Sequence, residues 1–172
     1  MSASRAPAAG RTRVGERDEH MAVEAAPTFD ELFLRRYEPM VRVAYLLVGS
    51  QAEAEDVVQE AFARVEERWT RIDNPAGYLH RCVVNRAYDT LRRRRLEQRI
   101  GRLHRDETSE LQADELGDAL AALPPKRRAA VVLRFYAGLS EREIAQALNV
   151  RPGTVKSMLH RALAQLREEI ER

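Results

Sequence analysis

Apolar residues recur three or four positions apart along almost the whole chain after residue 28. The spacing holds over residues 29–48, 54–69 and 79–91, and after a charged stretch it resumes over residues 116–166. Such a period places apolar side chains on one face of an α-helix. Few aromatic, glycine and proline residues, together with many Ala, Leu, Arg and Glu residues, favour helices in the same way. The sequence therefore predicts an all-α protein.

Residues that cap or break helices mark the expected boundaries of these elements. Thr28 and Glu31 have the spacing of a capping box at the start of the first helix. Pro39 lies inside the first apolar pattern and predicts either a kink or a junction. The Asp, Asn, Pro and Gly residues within positions 70–77 predict a loop. A third helix is expected to follow this loop over residues 75–96.

Changes in composition divide the chain into four parts. Residues 1–27 are rich in Ala, Arg, Pro and Gly without any period, which predicts a disordered tail in which Met21 offers an alternative start. Residues 28–96 predict a helical domain of three or four helices. Residues 97–113 lose the apolar pattern and are expected to form a flexible linker. Residues 114–172 predict a second small helical domain.

The second domain ends in the pattern of a helix-turn-helix. Ser140 and Glu143 have capping-box spacing, Asn149 suits the left-handed backbone of a tight turn, and Pro152 suits the first turn of the next helix. The outer face of that helix carries hydroxyl, Lys, His and Arg side chains, which suit DNA contacts in the major groove. The alternative is an ordinary solvated helix of a bundle. The predicted DNA-reading residues are Thr154, Lys156, Ser157, His160 and Arg161.

The formal net charge of +2 hides two stretches of opposite charge. Residues 51–68 hold six acids and two arginines, whereas residues 71–105 hold ten arginines and three acids. The first stretch predicts a helix whose acidic face is either simply solvated or docks on a protein partner. The second stretch attracts polyanions such as nucleic acid. The arginine run at 92–95, taken alone, is equally consistent with a solubilising helix end.

The loop within residues 70–77 lies between Trp69 and the basic helix. A loop of this kind can take an unstacked base, which a protein holds by stacking and by contacts to the base edge. The alternative role for Trp69 is packing in the core, which is the more frequent role of a tryptophan. The sequence leaves both interpretations of Trp69 open.

The composition argues against catalysis, metal binding and membrane insertion. The single cysteine, Cys82, excludes an internal disulfide and a multi-Cys zinc site, and its place on an apolar stripe predicts a buried structural thiol. The four histidines do not pair with carboxylates at ligand spacing, and a Gly-rich phosphate loop is absent. No apolar run approaches a membrane span, and the N-terminus lacks the apolar core of a secretory signal. We therefore expect a cytoplasmic protein without enzymatic activity, cofactor or metal.

Three segments together resemble a bacterial RNA polymerase sigma factor. They are AEAEDVVQEAFARV at 52–65, NPAGYLHRCVVNRAYDTLRRRR at 74–95, and ALAALPPKRRAAVVLRFYAGLSEREIAQALNVRPGTVKSMLHRALAQLR at 119–167. Their ordered combination is similar to the small extracytoplasmic-function (ECF) type of the sigma-70 family. Two motifs of the chain together resemble the actinobacterial SigE-like subgroup, namely W-x-R-I-x-N-P-x-x-Y-L and L-P-P-x-x-R.

The resemblance implies two helical domains, region 2 and region 4, which act with the RNA polymerase core on promoter DNA. Region 2 is expected to bind the β′ clamp helices and to melt and capture the −10 element, while region 4 contacts the β flap and reads the −35 element. The implied core-binding residues are Asp56, Val57, Gln59, Glu60 and Phe62. The implied −10 residues are Trp69, Asn74, Arg81, Asn85, Arg92 and Arg93. An anti-sigma factor commonly inhibits members of this family, and nothing in the sequence identifies one.

The chain departs from the family pattern at three places. Met158 stands where Arg often follows Lys-Ser, so guanine reading at that step is in doubt. Asn149 replaces the glycine of the turn, which the turn tolerates. Residues 88–91 lack the tryptophans that the subgroup often carries, which leaves the −10 preference open.

Two other functions remain compatible with these residues. A helix-turn-helix repressor or activator would bind its operator tightly without polymerase and as a dimer. An anti-sigma-like scaffold would bind polymerase and no DNA, but the basic face and the polar last helix argue against it.

Overall fold

The computed structural model describes residues 28–100 and 115–171. These residues form α-helices and no strand, which confirms the predicted all-α fold. The predicted tail at 1–27 and residues 101–113 of the predicted linker lie outside the described residues. The helices are α1 Phe29–Val48, α2 Gln51–Glu67, α3 Pro75–Arg99, α4 Glu115–Ala122, α5 Pro125–Val131, α6 Glu141–Leu148 and α7 Pro152–Ile170.

The first three helices form a bundle around one apolar core, in which each packs on the other two. Gly49, with a φ of 80°, ends α1 and allows the chain to reverse at once into α2. A 3₁₀ turn, Trp69–Arg71, then leads from α2 toward α3. The fully buried side chains of this bundle are mostly aliphatic, and their burial stabilises the bundle. They include Met40, Val43, Leu47, Val57, Val58, Val65, Leu79 and Val83.

α1 runs through Pro39 as one helix of 20 residues, so Pro39 marks no junction between elements. A proline removes the hydrogen bond to the carbonyl four residues earlier, which here belongs to Arg35. Both residues are exposed, so water can solvate the freed carbonyl. Met40 and Val41 follow directly and are buried, and their packing holds the helix in place across the proline.

α3 extends to Arg99, beyond the predicted end at residue 96. The additional residues Glu97, Gln98 and Arg99 all favour helices. The Arg93 side chain also lies 4.0 Å from the Glu97 carboxylate, one turn further along the helix. Such pairs at i and i+4 stabilise an exposed helix by a few tenths of a kcal/mol. The first residues of the predicted linker therefore belong to α3.

The last four helices form a second helical unit, with α4, α5 and α6 each packed on α7, and its buried apolar side chains share one core cluster with those of the first unit. A π-helical segment, Val132–Tyr136, continues α5 and contacts α6. These contacts bury the apolar stripes that the sequence predicted for this part of the chain. The buried side chains include Leu123, Leu133, Ile144, Val155, Leu159, Ala162 and Leu166.

α6 and α7 form the predicted helix-turn-helix. The Ser140 hydroxyl accepts a hydrogen bond from the Glu143 N–H (3.3 Å), and the Glu143 carboxylate accepts one from the Ser140 N–H (2.8 Å). Hydrogen bonds from the Ser140 hydroxyl and N–H lower the pKa of Glu143. Asn149 ends α6 with a φ of 51°, and Pro152 is the first residue of α7. The predicted capping box, turn and helix start are confirmed.

The two helical units pack against each other. α3 packs on α6, while α1 contacts α4, α5 and the π-helical segment. Arg128 of α5 is buried, and its guanidinium donates to the carbonyls of Leu47 (2.8 Å) and Ala121 (2.6 Å). Arg94 of α3 donates to the carbonyl of Val48 (3.1 Å). Carbonyls in the last turn of a helix lack partners within it, so arginines from two other helices satisfy the end of α1.

Candidate nucleic-acid interface

A cavity of about 750 Å³ lies at the start of α3, beside the loop that the sequence predicted to take an unstacked base. Arg68 and Arg71 line it from the end of α2 and the 3₁₀ turn, and Arg81 lines it from α3. Three guanidinium groups around one cavity favour an anionic ligand such as a phosphate. Other lining residues include Asp73, Asn74, Tyr78 and Gln146.

The first turn of α3 holds Asn74 in one orientation at the edge of this cavity. Asn74 is the N-cap, and its side-chain oxygen accepts a hydrogen bond from the Gly77 N–H (2.9 Å). Pro75 occupies the first helical position, where a missing N–H costs nothing. A Cβ atom on Gly77 would lie only 2.8 Å from the Asn74 amide nitrogen. The glycine therefore makes room for the cap.

Trp69 packs against α1 and does not line the cavity. Its ring meets the Phe29 ring edge to face, with centroids 5.5 Å apart and an interplanar angle of 86°. Phe29 also meets Phe62 edge to face, with centroids 6.2 Å apart. Of the two roles that the sequence left open for Trp69, the structure supports packing, because the ring belongs to this aromatic cluster.

Three other residues assigned to the −10 element lie along one stripe of α3. Arg81, Asn85 and Arg92 are exposed. At 100° per residue, their positions lie within about 40° of one another around the helix axis, and they span about 16 Å along it. Arg81 also lines the cavity, so the stripe continues from the cavity along α3.

The arginine run at 92–95 does not form one surface, because four successive positions of a helix diverge. Arg94 turns inward and pairs with the Glu53 carboxylate of α2. The other three arginines are exposed, including Arg93, which the sequence assigned to the −10 element. Arg94 therefore joins α3 to α2 and α1, and its neighbours remain accessible.

α7 presents the predicted DNA-reading residues on one exposed surface. Val155, Leu159 and Ala162 face the core of the second unit, which turns the polar positions between them outward. The Ser157 hydroxyl donates to the Thr154 carbonyl (2.9 Å) and is held close to the helix backbone. The exposed residues are Thr154, Lys156, Ser157, His160 and Arg161, as the sequence predicted.

Met158 is partly buried and packs against the apolar core. The position at which the family often carries an arginine is thus occupied by a side chain that stabilises the domain. Among the predicted DNA-reading residues of α7, Lys156 and Arg161 therefore supply the positive charge.

The predicted core-binding residues of α2 divide between surface and interior. Asp56, Gln59 and Glu60 are exposed on one face of the helix. Val57 and Phe62 are buried, with 1% and 3% of their surface exposed. These two side chains hold the helix in the bundle and cannot offer contact area without rearrangement. The Glu60 carboxylate is also engaged, 2.5 Å from the guanidinium of Arg86 on α3.

α3 also buries two titratable side chains, His80 and Cys82. Nδ1 of His80 donates to the Ala76 carbonyl (2.8 Å), whereas Nε2 has no hydrogen-bond partner among the described residues. Burial lowers the pKa of His80, and nearby Arg36 acts in the same direction while Glu143 opposes it. Burial raises the pKa of Cys82, in agreement with the predicted buried thiol.

Neither a metal cluster nor a membrane span occurs in the part of the chain that the structure describes. Across residues 28–100 and 115–171, His, Cys, Asp and Glu side chains form no group of three that could hold a metal ion. No helix in these ranges is both long and apolar enough to cross a bilayer.

Comparison with known proteins matches both helical units. The sigma-70 region 2 family covers residues 32–97, and the sigma-70 region 4 family covers residues 113–166. The RNA polymerase sigma-E factor of Streptomyces coelicolor is 39% identical over 151 residues, covering 83% of this chain and 85% of that protein. The ECF RNA polymerase sigma factor SigE of Mycolicibacterium smegmatis is 40% identical over 161 residues, covering 84% of this chain and 62% of that protein.

The chain belongs to the ECF group of RNA polymerase sigma factors. α1–α3 are its region 2 and α4–α7 its region 4. As a member of this family, the sigma factor directs promoter-specific initiation of transcription by RNA polymerase. The predicted family and function are confirmed, and a repressor that acts without polymerase is not favoured.

Solved structures show the same fold. The sigma factor RpoE of Bartonella quintana, in complex with the anti-sigma factor NepR, matches with a TM-score of 0.70 and 23% identity, covering 83% of this chain and 96% of that chain. CnrH, in complex with the cytosolic domain of CnrY, matches with a TM-score of 0.67 and 21% identity, covering 83% and 87%. At these identities the likeness supports the two-domain helical architecture alone.

Several residues of the cavity were missed in the sequence. Arg71 lies within the loop at 70–77, and Arg68 and Tyr78 lie next to it, so their proximity to a predicted base-binding loop was the available signal. Gln146 lies in region 4 and reaches the cavity only through the packing of α6 on α3. No pattern in the sequence indicates that contact.

Proposed function

We propose that region 2 captures an unstacked base of the −10 strand in the cavity at the start of α3. The observation that carries this proposal is the convergence of Arg68, Arg71 and Arg81 with Asn74 and Tyr78 around one cavity. The guanidinium groups suit strand phosphates, the amide suits a base edge, and the phenol ring suits stacking. Capture repays the few kcal/mol that unstacking costs.

The stripe on α3 guides the rest of the melted strand. Asn85 and Arg92 continue the surface that Arg81 begins, and Arg93 lies beside them. Arginine contacts to phosphates fix the position of a strand without reading its sequence. Trp69 packs on Phe29 and stabilises the region 2 bundle at the end of α2.

Region 4 reads the −35 element with α7 in the major groove. The recognition helix of a helix-turn-helix contacts base edges from its N-terminal part. Lys156 and Arg161 supply the charged contacts, and Thr154, Ser157 and His160 supply further donors and acceptors. The region also contacts the β flap of the polymerase.

The exposed face of α2 docks on the β′ clamp helices of the polymerase core. Asp56 and Gln59 are its directly available polar residues, and Glu60 adds charge while paired with Arg86. Val57 and Phe62 are buried behind this face, and their packing fixes the position of α2 in the bundle. Charge complementarity of this kind governs the choice of partner more than raw affinity.

The sigma factor works in the cytoplasm, needs no cofactor or metal, and carries out no covalent chemistry of its own. Its partners are the polymerase core and promoter DNA. RpoE of Bartonella quintana was solved in complex with the anti-sigma factor NepR. An anti-sigma factor is therefore a further partner in this proposal.

Multi-round transcription with purified core polymerase tests the proposal on a library of promoter fragments from the source genome. The wild-type sigma factor is expected to start transcripts at a defined set of fragments. Arg161→Ala should lower specific transcripts about tenfold, because a good base contact contributes 1–3 kcal/mol. Arg167→Ala is the matched control, since Arg167 is exposed on α7 beyond the predicted reading surface.

Two outcomes would contradict these assignments. Equal loss of transcription in both arginine variants would remove the specific role of Arg161. If Arg161→Ala lowers core binding, measured by native gel shift, as much as it lowers transcription, Arg161 belongs to the polymerase interface instead of the promoter interface.

A further inference from the structure

A second large cavity, of about 770 Å³, lies between the last half of α3 and the start of α5. The proposed capture of the −10 strand does not use it. Sites for small molecules have volumes of this order and mostly apolar walls, and they often lie between domains. Tyr88 and Leu91 line the cavity and also pack on the core. The apolar and aromatic lining residues are Tyr88, Leu91, Leu96, Pro124 and Pro125.

Four cationic side chains surround this apolar space. Arg92, Arg95 and Arg99 recur three and four residues apart along one face of α3, and Lys126 joins them from the first turn of α5. All four side chains are exposed. Within residues 28–100 and 115–171, no carboxylate lies within 4.0 Å of them and no acidic residue lines the cavity. The described residues therefore leave the positive charge of the cavity unbalanced.

The spacing of the arginines favours a ligand with several phosphate groups. Positive charges that lie close together disfavour one another, and a bound anion relieves this repulsion. The buried Arg128 of α5 shows the effect, because its pKa is lowered by burial and further by the charges of Arg95 and Arg94. A phosphate pairs well with one guanidinium group. Since α3 rises about 10 Å from Arg92 to Arg99, two or more phosphates are needed to pair with the arginines along it.

The apolar walls favour a ligand that also carries a planar ring. A bare polyphosphate or a DNA backbone would leave Leu96 and the two prolines in water, whereas a ring covers them and can pack against Tyr88. The Tyr88 hydroxyl is buried without a hydrogen-bond partner in the described part of the chain, so it can donate to a ligand oxygen. The lining contains no amide or carboxyl side chain that would distinguish one base edge from another.

We infer that the cavity between α3 and α5 binds a nucleoside that carries two or more phosphate groups. Arg92, Arg95, Arg99 and Lys126 pair with the phosphates, and the base packs among the apolar walls. The site distinguishes ligands by the number of phosphates and only weakly by the base. It is separate from the cavity at the start of α3 and does not rest on the role proposed for that cavity.

Isothermal titration calorimetry of the full-length protein with AMP, ADP and ATP tests the inference. The affinity should rise about fivefold with each phosphate, which is the size of one partly exposed charge interaction. GTP should bind within about threefold of ATP, because the lining has no side chain that reads a base edge. Inorganic triphosphate should bind about tenfold more weakly than ATP, since it covers none of the apolar surface.

Variants on both walls locate the site. Arg99→Ala and Lys126→Ala should each weaken ATP binding about fivefold, because each removes one exposed charge from the lining. Leu96→Asp should weaken it about tenfold, because it places a negative charge beside the phosphates. Leu96 is 57% exposed, so this change spares the core. Arg42→Ala and Arg167→Ala remove a charge from exposed positions outside both large cavities and are the matched controls.

Several outcomes would overturn the inference. Absence of ATP binding would do so, and weaker binding of duplex DNA in Arg99→Ala and Lys126→Ala would then assign these cations to the DNA backbone. Equal affinity for ATP and inorganic triphosphate would reduce the site to a charged surface. Equal losses in the control variants would show that net charge alone attracts the nucleotide.

One further variant separates this inference from the proposed function of region 2. Arg71 lines the cavity at the start of α3, whereas Arg99 and Lys126 do not. Loss of ATP binding in Arg71→Ala, with unchanged binding in Arg99→Ala, would place the nucleotide in that first cavity and overturn the inference. Failure of ATP to bind at all leaves strand capture untouched, because the strand site does not depend on Arg99 or Lys126.

Discussion

Arg128 of α5 donates a hydrogen bond to the carbonyl oxygen of Leu47, 81 residues earlier in the chain, at 2.8 Å. Leu47 lies in the last turn of α1, which carries no basic residue of its own. Burial lowers the pKa of Arg128, and the nearby charges of Arg95 and Arg94 lower it further. An arginine of region 4 therefore completes the end of a region 2 helix.

Replacing Arg128 should destabilise the protein. Arg128→Met keeps much of the apolar volume but leaves the Leu47 and Ala121 carbonyls without their donor. An unsatisfied buried polar group costs about 1–3 kcal/mol, and relief of the buried charge offsets part of this cost. We expect a loss of about 1–2 kcal/mol in the free energy of unfolding, measured by urea titration with circular dichroism.

Arg127→Met is the control for this variant. Arg127 occupies the same helix, and its guanidinium lies 3.5 Å from the Gln165 side-chain oxygen within region 4. We expect a change below about 0.5 kcal/mol there. A wild-type stability for Arg128→Met would mean that the bridging hydrogen bonds contribute nothing beyond the cost of burying the charge.

The Asn74 cap should contribute about 1 kcal/mol to the stability of region 2. Asn74→Ala removes the acceptor for the Gly77 N–H, whereas Asn74→Ser retains one. Thermal unfolding should therefore rank wild type and Asn74→Ser above Asn74→Ala. Strand binding should fall in both variants if the amide itself contacts a base, and only in the alanine variant if Asn74 acts through the cap.

Acidification should weaken the fold through His80. Because burial lowers the pKa of His80 in the folded protein, the unfolded chain takes up the proton first as pH falls. The stabilisation that neutral His80 contributes is therefore complete above the pKa of about 6.5 in the unfolded chain. It is lost as the pH falls through the pKa in the folded protein. Free energies of unfolding measured between pH 8 and pH 5, a range of about three units around that value, should decline.

His80→Leu should reduce this decline, since it removes the buried titrating group between Arg36 of α1 and Glu143 of α6. His160→Gln changes an exposed histidine of α7 and is the control. An unchanged slope in His80→Leu would assign the acid sensitivity to another group.

Charge reversal on α2 should weaken binding to the polymerase core. The double variant Asp56→Lys, Gln59→Lys alters the exposed face without touching the Glu60–Arg86 pair. We expect association with core polymerase to fall about tenfold, mainly through slower encounter and lost charge complementarity. The double variant Leu34→Lys, Glu38→Lys adds the same charge to exposed positions of α1, and equal losses in both double variants would point to net charge instead of a docking surface.

The secondary structure and the helix-turn-helix could be predicted from the sequence because the residues that determine them are close together in the chain. The Ser140 capping box, the turn at Asn149 and the start of α7 at Pro152 each depend on residues within four positions. The exposed surface of α7 followed as well, since helical spacing alone separates Thr154 and Arg161 from Val155 and Leu159.

The sequence was less informative where one residue type suits two environments. Phe62 and Val57 match a docking motif, but their side chains complete the bundle core. Trp69 suits either stacking on a base or packing on Phe29, and only the position of α1 decides between them. Four consecutive arginines look alike in the sequence, while their angles around α3 send Arg94 inward to Glu53.

By itself, the sequence determined an all-helical chain with two helical units, a helix-turn-helix and opposite charges on successive helices. Only the tertiary structure decided which arginines are free, what surrounds the cavity at the start of α3, and that region 4 lies against region 2. The physical reason is distance along the chain. Helix formation and capping involve neighbours three or four residues apart, whereas the Arg94–Glu53 and Arg128–Leu47 contacts join residues 41 and 81 positions apart.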